Sequence, residues 1–170
     1  MNDNIVLIGF MGSGKTSLGV KLARTLEYKF LDTDDYIEEE YGDSIKNIFA
    51  TEGEAKFRSL ETKALRDLKE KLHGHVISTG GGMPLLEENA KLLRELGHVI
   101  YLRTSKEEIY ERLKDDKTRP LLCGDDPIKR IDELLAVRSP IYEAAADYVI
   151  MTDGSSFYQI IKEIIDFLVK

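Results

Sequence analysis

Gly9 to Thr16 read GFMGSGKT, which fits the spacing Gly-x-x-x-x-Gly-Lys-Ser/Thr of a phosphate-binding P-loop. Glycines at these places let the backbone fold tightly, so that several N–H groups and the positive end of a following helix can face one anion together. Lys15 adds a mobile charge that can reach the β- and γ-phosphates of a nucleotide. The Thr16 hydroxyl can help hold a Mg²⁺ whose other ligands are mostly water and phosphate oxygens. The motif thus assigns Gly12, Ser13, Gly14, Lys15, Thr16 and Ser17 to a nucleoside triphosphate such as ATP.

Four further groups carry candidate chemistry. Asp32 and Asp34 flank Thr33 at the end of an extended run, where residues two apart point to one face, so both carboxylates are expected at one site. One could support Mg²⁺ and the other could orient or deprotonate an attacking hydroxyl; the alternative is capping of the next helix, which Asp35 could also serve. Arg58 and Glu61 stand three apart on a predicted helix beside Phe57, either as a surface ion pair or as a fork aimed at a substrate carboxylate. Gly80-Gly81-Gly82 follows another extended run and gives bare backbone for a ligand to approach, or a tight strand-to-helix turn. Arg112, Arg119 and Arg138 are either solvated charges or movable cations for a phosphoryl group in transfer, and Arg138 falls late in a helix, before Pro140.

These groups need a scaffold, and its pattern is regular. Short β-type runs at Ile5–Ile8, Lys29–Leu31, His75–Ser78, Val99–Leu102 and Tyr148–Met151 alternate with longer helical patterns, which predicts an α/β fold with a parallel sheet covered by helices. Ser44 is placed to cap a short helix through Phe49; a long amphipathic pattern follows from Gly53 to Lys71, and another helix is expected over Leu86–Leu96. Residues 115–127 form an irregular, charged segment with Pro120, Gly124 and Pro127, suited to a lid or to an ordinary loop. The 170 residues suit a single domain, 1–170.

Composition narrows the partners. A net charge of −7 argues against a broad nucleic-acid surface but leaves room for a local cationic pocket. No apolar run approaches the roughly 20 residues that cross a bilayer, and the chain enters its first strand too soon for a signal peptide. The expectation is a cytoplasmic protein, a monomer, with no nucleic-acid or membrane partner. Cys123 is the lone cysteine, so no intramolecular disulfide can form.

Taken together, GFMGSGKT, Phe30–Asp34 (FLDTD), Gly53-Glu54 with Phe57-Arg58 and Glu61, Gly80–Gly82, and Arg119-Pro120-Leu121-Leu122 closely resemble shikimate kinase in order and spacing, from the first strand to at least Arg138–Tyr142. The resemblance implies a P-loop NTPase fold of the adenylate-kinase type, with a five-stranded parallel sheet in the order 2-3-1-4-5 flanked by helices. It also implies transfer of the γ-phosphoryl of ATP to the 3-hydroxyl of shikimate, with Mg²⁺ as cofactor, in aromatic amino acid biosynthesis. On matching positions, Asp34 would meet the reacting hydroxyl, Arg58 and Arg138 would hold the shikimate carboxylate, and Gly80, Gly81 and Gly82 would line the pocket. Phe57 and Glu61 would shape or orient it, Asp32 with Thr16 would support Mg²⁺, Lys15 and Arg119 would meet phosphate charge, and Arg112 would lie on the adenine side. The acceptor-binding segment would span about 33–61 and the lid about 113–127. Competing expectations are a related kinase acting on gluconate, a nucleoside or a nucleotide, and a nucleotide-binding switch. The chain has neither an Asn-Lys-x-Asp nor an Asp-x-x-Gly segment for such a switch.

Overall fold

The computed structural model describes residues 3–116 and 124–170. Arg119, Cys123 and the rest of 117–123, the middle of the expected lid, therefore lie outside the described residues. Five parallel strands, β1 (Ile5–Ile8), β2 (Lys29–Asp32), β3 (His75–Ser78), β4 (His98–Arg103) and β5 (Tyr148–Met151), form one sheet in the order β2-β3-β1-β4-β5. The expected order is the one found. The helices are α1 (Lys15–Leu26), α2 (Thr33–Tyr41), α3 (Ile45–Glu52), α4 (Glu54–Lys69), α5 (Glu87–Leu96), α6 (Lys106–Leu113), α7 (Pro127–Ala145) and α8 (Phe157–Leu168). Among the described residues, no helix is long and apolar enough to cross a membrane.

Strand β1 shows why the sheet is covered on both faces. Its four residues are all buried, and they alternate between two cores: Val6 and Ile8 join one with Phe57, Leu65 and Tyr142, while Ile5 and Leu7 join the other with Leu18, Leu22 and Ile164. A strand with a helix layer on each side must be apolar throughout, and IVLI is. Asn4, just before it, is the buried polar exception. Its amide donates to the Leu72 and Leu96 carbonyls, both at 2.9 Å, and accepts from the His75 N–H at 3.0 Å, tying the ends of two helices to the sheet.

Local chemistry sets the helix ends that matter for the site. Ser44 caps α3 through the Asn47 N–H at 3.1 Å, as its position predicts. Gly53, at φ 85° and ψ 174°, ends α3 and starts α4, a conformation that a side chain would strain; the sharp turn swings α4 and its Arg58 toward the strand ends. Helix α7 does not stop near Pro140 but runs through it to Ala145. Pro140 is exposed, so the Ala136 carbonyl that loses its N–H partner can be met by water.

Candidate active site

The P-loop joins β1 to α1 at the carboxyl edge of the sheet. Gly14, with φ 92°, precedes α1 without offering a side-chain cap, which leaves the first N–H groups of the helix available to an anion. Lys15 is largely buried and folds back over the loop. Its Nζ donates to the Gly9 carbonyl at 2.8 Å and the Phe10 carbonyl at 2.9 Å. Ser13 is buried, its Oγ turned toward Lys15 Nζ, so its contribution to an anion site is its backbone. From α6, Arg112 Nη1 donates to the Gly12 carbonyl at 2.9 Å, which puts a second cation on the loop's flank.

Asp32 and Asp34 meet the same cavity, but not by strand alternation. Asp32 ends β2 and caps α2, its Oδ1 accepting from the N–H groups of Asp34 at 2.9 Å and Asp35 at 3.3 Å; Asp34 already lies in the first turn of the helix. Capping and function are thus not alternatives here. Oδ1 of Asp32 serves the helix, while its Oδ2 accepts from Thr16 Oγ1 at 3.2 Å. Ser78 Oγ, level with Asp32 on the neighbouring strand, sits 3.3 Å from the same hydroxyl.

A cavity of about 290 Å³ opens over these groups, lined by Lys15, Thr16, Asp32, Asp34, Ser78 and Gly80 among others. Asp34 Oδ1 is buried at its wall with no hydrogen-bond partner. Burial first, and then the neighbouring Asp32 carboxylate, push the Asp34 carboxyl up to about 6, with Lys15 pulling the other way. Glu61, fully buried on α4, is the second such acid. One of its oxygens accepts from Arg58 Nη1 at 2.8 Å, and the other, Oε1, has no partner. Burial pushes the Glu61 carboxyl up to about 7 even against the attraction of Arg58.

The three glycines explain how so many side chains share one wall. A Cβ on Gly80 would stand 2.9 Å from Asp34 Oδ1 and 3.3 Å from Glu61 Oε1, and one on Gly82 would stand 2.4 Å from both terminal nitrogens of Arg58. Gly80 and Gly82 have ordinary φ values, so the need is space, not a turn. The Gly80 N–H is held by Thr33 Oγ1 at 3.2 Å. Arg138 reaches the region from α7, with its Cζ 5.7 Å from the centre of the Phe10 ring. Phe57 is buried: it packs on Phe49 with ring centres 4.9 Å apart, and the Arg58 guanidinium lies over its ring at 5.5 Å.

The structure thus brings the P-loop, both aspartates, the Arg58–Glu61 pair and the glycine strip to one sheet edge. Thr33, Ser78, Asn89 and Tyr142 also support this wall and were not singled out from sequence. Only Tyr142 left a local trace, one helical turn beyond Arg138. Asn89 binds Thr62 Oγ1 at 2.7 Å and the Met83 carbonyl at 3.0 Å, fixing the turn that follows the glycines.

A phosphate-binding loop at the edge of a 2-3-1-4-5 parallel sheet, facing a buried carboxylate, defines a P-loop phosphotransferase. The chain belongs to the shikimate kinase family, whose model, described as "Shikimate kinase", matches residues 11–169. A shikimate kinase of Caldicellulosiruptor bescii is 49% identical over 150 residues, covering 88% of this chain and 86% of that relative. One from Hahella chejuensis is 41% identical over 162 residues, covering 95% and 84%. Among solved structures, the Acinetobacter baumannii shikimate kinase in complex with shikimate is similar at a TM-score of 0.91 and 37% identity, covering 99% of this chain and 94% of that one.

Proposed function

We infer that this chain transfers the γ-phosphoryl group of ATP to the 3-hydroxyl of shikimate, giving shikimate 3-phosphate and ADP on the route to chorismate and the aromatic amino acids. The observation that carries this reading is the Arg58–Glu61 pair, with Glu61 fully buried, packed against the glycine strip: Glu61 and Asp34 meet at Gly80, which lines the P-loop cavity, and Arg58 lies against Gly82. A small hydroxy acid needs a cation for its carboxylate and an acceptor for its hydroxyl proton, and Arg58 and Asp34 are brought near one another by the same glycine strip. Residues 1–170 act in this reading as one kinase domain, with the acceptor side built from about 33–61.

The acceptor oxygen forms a bond to the γ-phosphorus as the bond to the ADP oxygen breaks, and the hydroxyl proton passes to the Asp34 carboxylate or is aligned by it. Lys15 leaves the Gly9 and Phe10 carbonyls for the phosphates, where its charge matters most as negative charge spreads over the transferring group. Arg119, by family resemblance, adds charge from the lid, and Arg112 flanks the nucleotide beside Gly12. Arg58 and Arg138 hold the acceptor carboxylate, and Glu61 fixes the Arg58 rotamer. Thr16 Oγ1 and Asp32 Oδ2 suit Mg²⁺, a hard cation that keeps most of its waters and takes few protein oxygens; among the described residues there is no cluster of three or more acidic, histidine or cysteine side chains that would suit a tighter cage. Bound there, Mg²⁺ would supply charge neutralisation to the nucleotide's phosphates.

The test is direct. ATP, Mg²⁺ and shikimate should give ADP and shikimate 3-phosphate in equal amounts; phosphorylation of gluconate or a nucleoside in its place would overturn the acceptor assignment. A substitution that never touches Arg58 tests the clamp. Gly82→Ala places a methyl where the guanidinium now lies, and the flexible end of Arg58 must move away. Loss of a charged hydrogen bond, about 1.5–3 kcal/mol, predicts a rise of roughly 10–100-fold in the shikimate KM, with the ATP KM unchanged. Equal shikimate KM values for Gly82→Ala and the parent protein would remove Arg58 from the clamp.

A further inference from the structure

Three successive glycines can adopt many backbone conformations, yet the wall they form has to present fixed N–H groups to a ligand. Several partners remove that freedom. Thr33 holds the Gly80 N–H at 3.2 Å, Gly80 accepts from the Met83 N–H at 3.1 Å, and Asn89 holds the Met83 carbonyl at 3.0 Å. The peptide between Gly81 and Gly82 has one long-range partner among them, the hydroxyl of Tyr142, which donates to the Gly81 carbonyl at 2.6 Å.

Tyr142 is fully buried, and its ring packs on Tyr101 with centres 5.1 Å apart, so its hydroxyl has little freedom to look elsewhere. It stands on α7 one turn after Arg138, whose guanidinium lies beside the hydroxyl, and the charge of Arg58 is felt there too. Burial pushes the phenol up to about 12, against the pull of Arg138, so the hydroxyl stays a donor at any working pH. Arg138 thus lies beside the hydroxyl that also sets the orientation of the Gly81–Gly82 peptide, and Arg58 lies against Gly82 at the other end of that peptide. A carbonyl held on one side of a peptide fixes where the adjoining N–H points on the other, because the unit is planar.

We infer that Tyr142 is a positioning residue for the acceptor: its hydroxyl locks the Gly81–Gly82 peptide and registers α7, with Arg138, against the pocket wall. This inference rests on the proposed kinase reading and assigns Tyr142 no contact with the reacting atoms. Its effect is expected on the acceptor side; because Gly81 also lies near the Gly9 and Met11 backbone of the P-loop, the ATP KM is the control that separates the two.

The test is Tyr142→Phe in the full chain, which keeps the ring in the core and removes only the hydroxyl. Steady-state kinetics for both substrates should be read alongside calorimetric binding of shikimate without nucleotide, and Tm. The expected result is a rise of about five- to twentyfold in the shikimate KM and Kd, ATP KM within twofold, and a smaller change in kcat. Tyr101→Phe, which loses only a 3.4 Å contact with Ser139 in the same aromatic pair, should leave both KM values unchanged. Unchanged shikimate binding in Tyr142→Phe overturns the inference, as do equal losses for the two substrates, which would mark a general packing role. If the parent protein itself makes no shikimate 3-phosphate, the kinase reading fails; if it does and Tyr142→Phe matches it, only the positioning role fails.

Discussion

Asp34→Asn lowers kcat by about 10²–10⁴-fold while making the folded protein more stable at pH 7.5. The two effects share one cause. The Asp34 carboxyl is raised from its ordinary 3.8 to about 6, by burial and by Asp32, so the folded protein binds this proton more tightly than the unfolded chain does. Its contribution to stability is complete below roughly pH 4, is lost as pH rises through about 6, and leaves an ionised, partnerless Oδ1 above that. Asparagine cannot ionise. The variant's Tm should exceed the parent's by about 2–6 °C at pH 7.5, and the gap should close toward pH 4. Activity runs the opposite way: kcat/KM of the parent should fall as pH drops through 7 to 6, where Glu61 and then Asp34 take up protons. A pH series of thermal melts beside the pH–rate profile checks both. Retention of more than a tenth of kcat would remove Asp34 from the acceptor's hydroxyl, and a lower Tm at pH 7.5 would overturn the stability cost assigned to its ionised form.

The same carboxylate marks the boundary of what sequence could supply. Periodicity placed all five strands to within a residue at each end, because β1 is apolar throughout, β3 and β4 beside it have buried apolar centres, and helical patterns separate them. Ser44 and the P-loop were legible for a similar reason: capping and phosphate binding act over a few consecutive residues, and the chain spells them out. Asp34 was assigned to the right cavity through the wrong geometry. Nothing local distinguishes a strand that continues through Thr33 from one whose Asp32 turns and caps a helix, until the two N–H groups of Asp34 and Asp35 are seen on one oxygen. The glycine strip hid its reason more completely. Gly80 and Gly82 make room for Asp34 and Arg58, side chains from two helices far away in sequence, and no window of the chain contains both sides of that contact. Pro140 misled in the opposite sense, since a local rule about helix ends yields wherever the freed carbonyl reaches water.

Lys15→Ala should lower kcat by about 10²–10³-fold or more, the range for removing one preorganised charge from a developing anion. The loop's own hydrogen bonds add a second effect that can be separated from it. Lys15 Nζ bridges the Gly9 and Phe10 carbonyls, so the ammonium ties the two ends of the loop together and holds its shape. Alanine removes the charge, the bridge and the buried stem together, and Tm should fall along with turnover. Lys15→Met keeps most of the stem but no charge. Its kcat should be as low as that of Lys15→Ala, because neither can neutralise the phosphates, while its Tm should recover part of the loss through packing. The ATP Kd, read by nucleotide titration without acceptor, should weaken less than kcat falls, since the backbone N–H groups after Gly14 still bind ground-state phosphate. Near-normal kcat in either variant would exclude the ammonium from phosphoryl transfer. Equal losses in ATP affinity and turnover would instead confine it to holding the nucleotide, leaving Arg119 as the remaining candidate for the transferring charge.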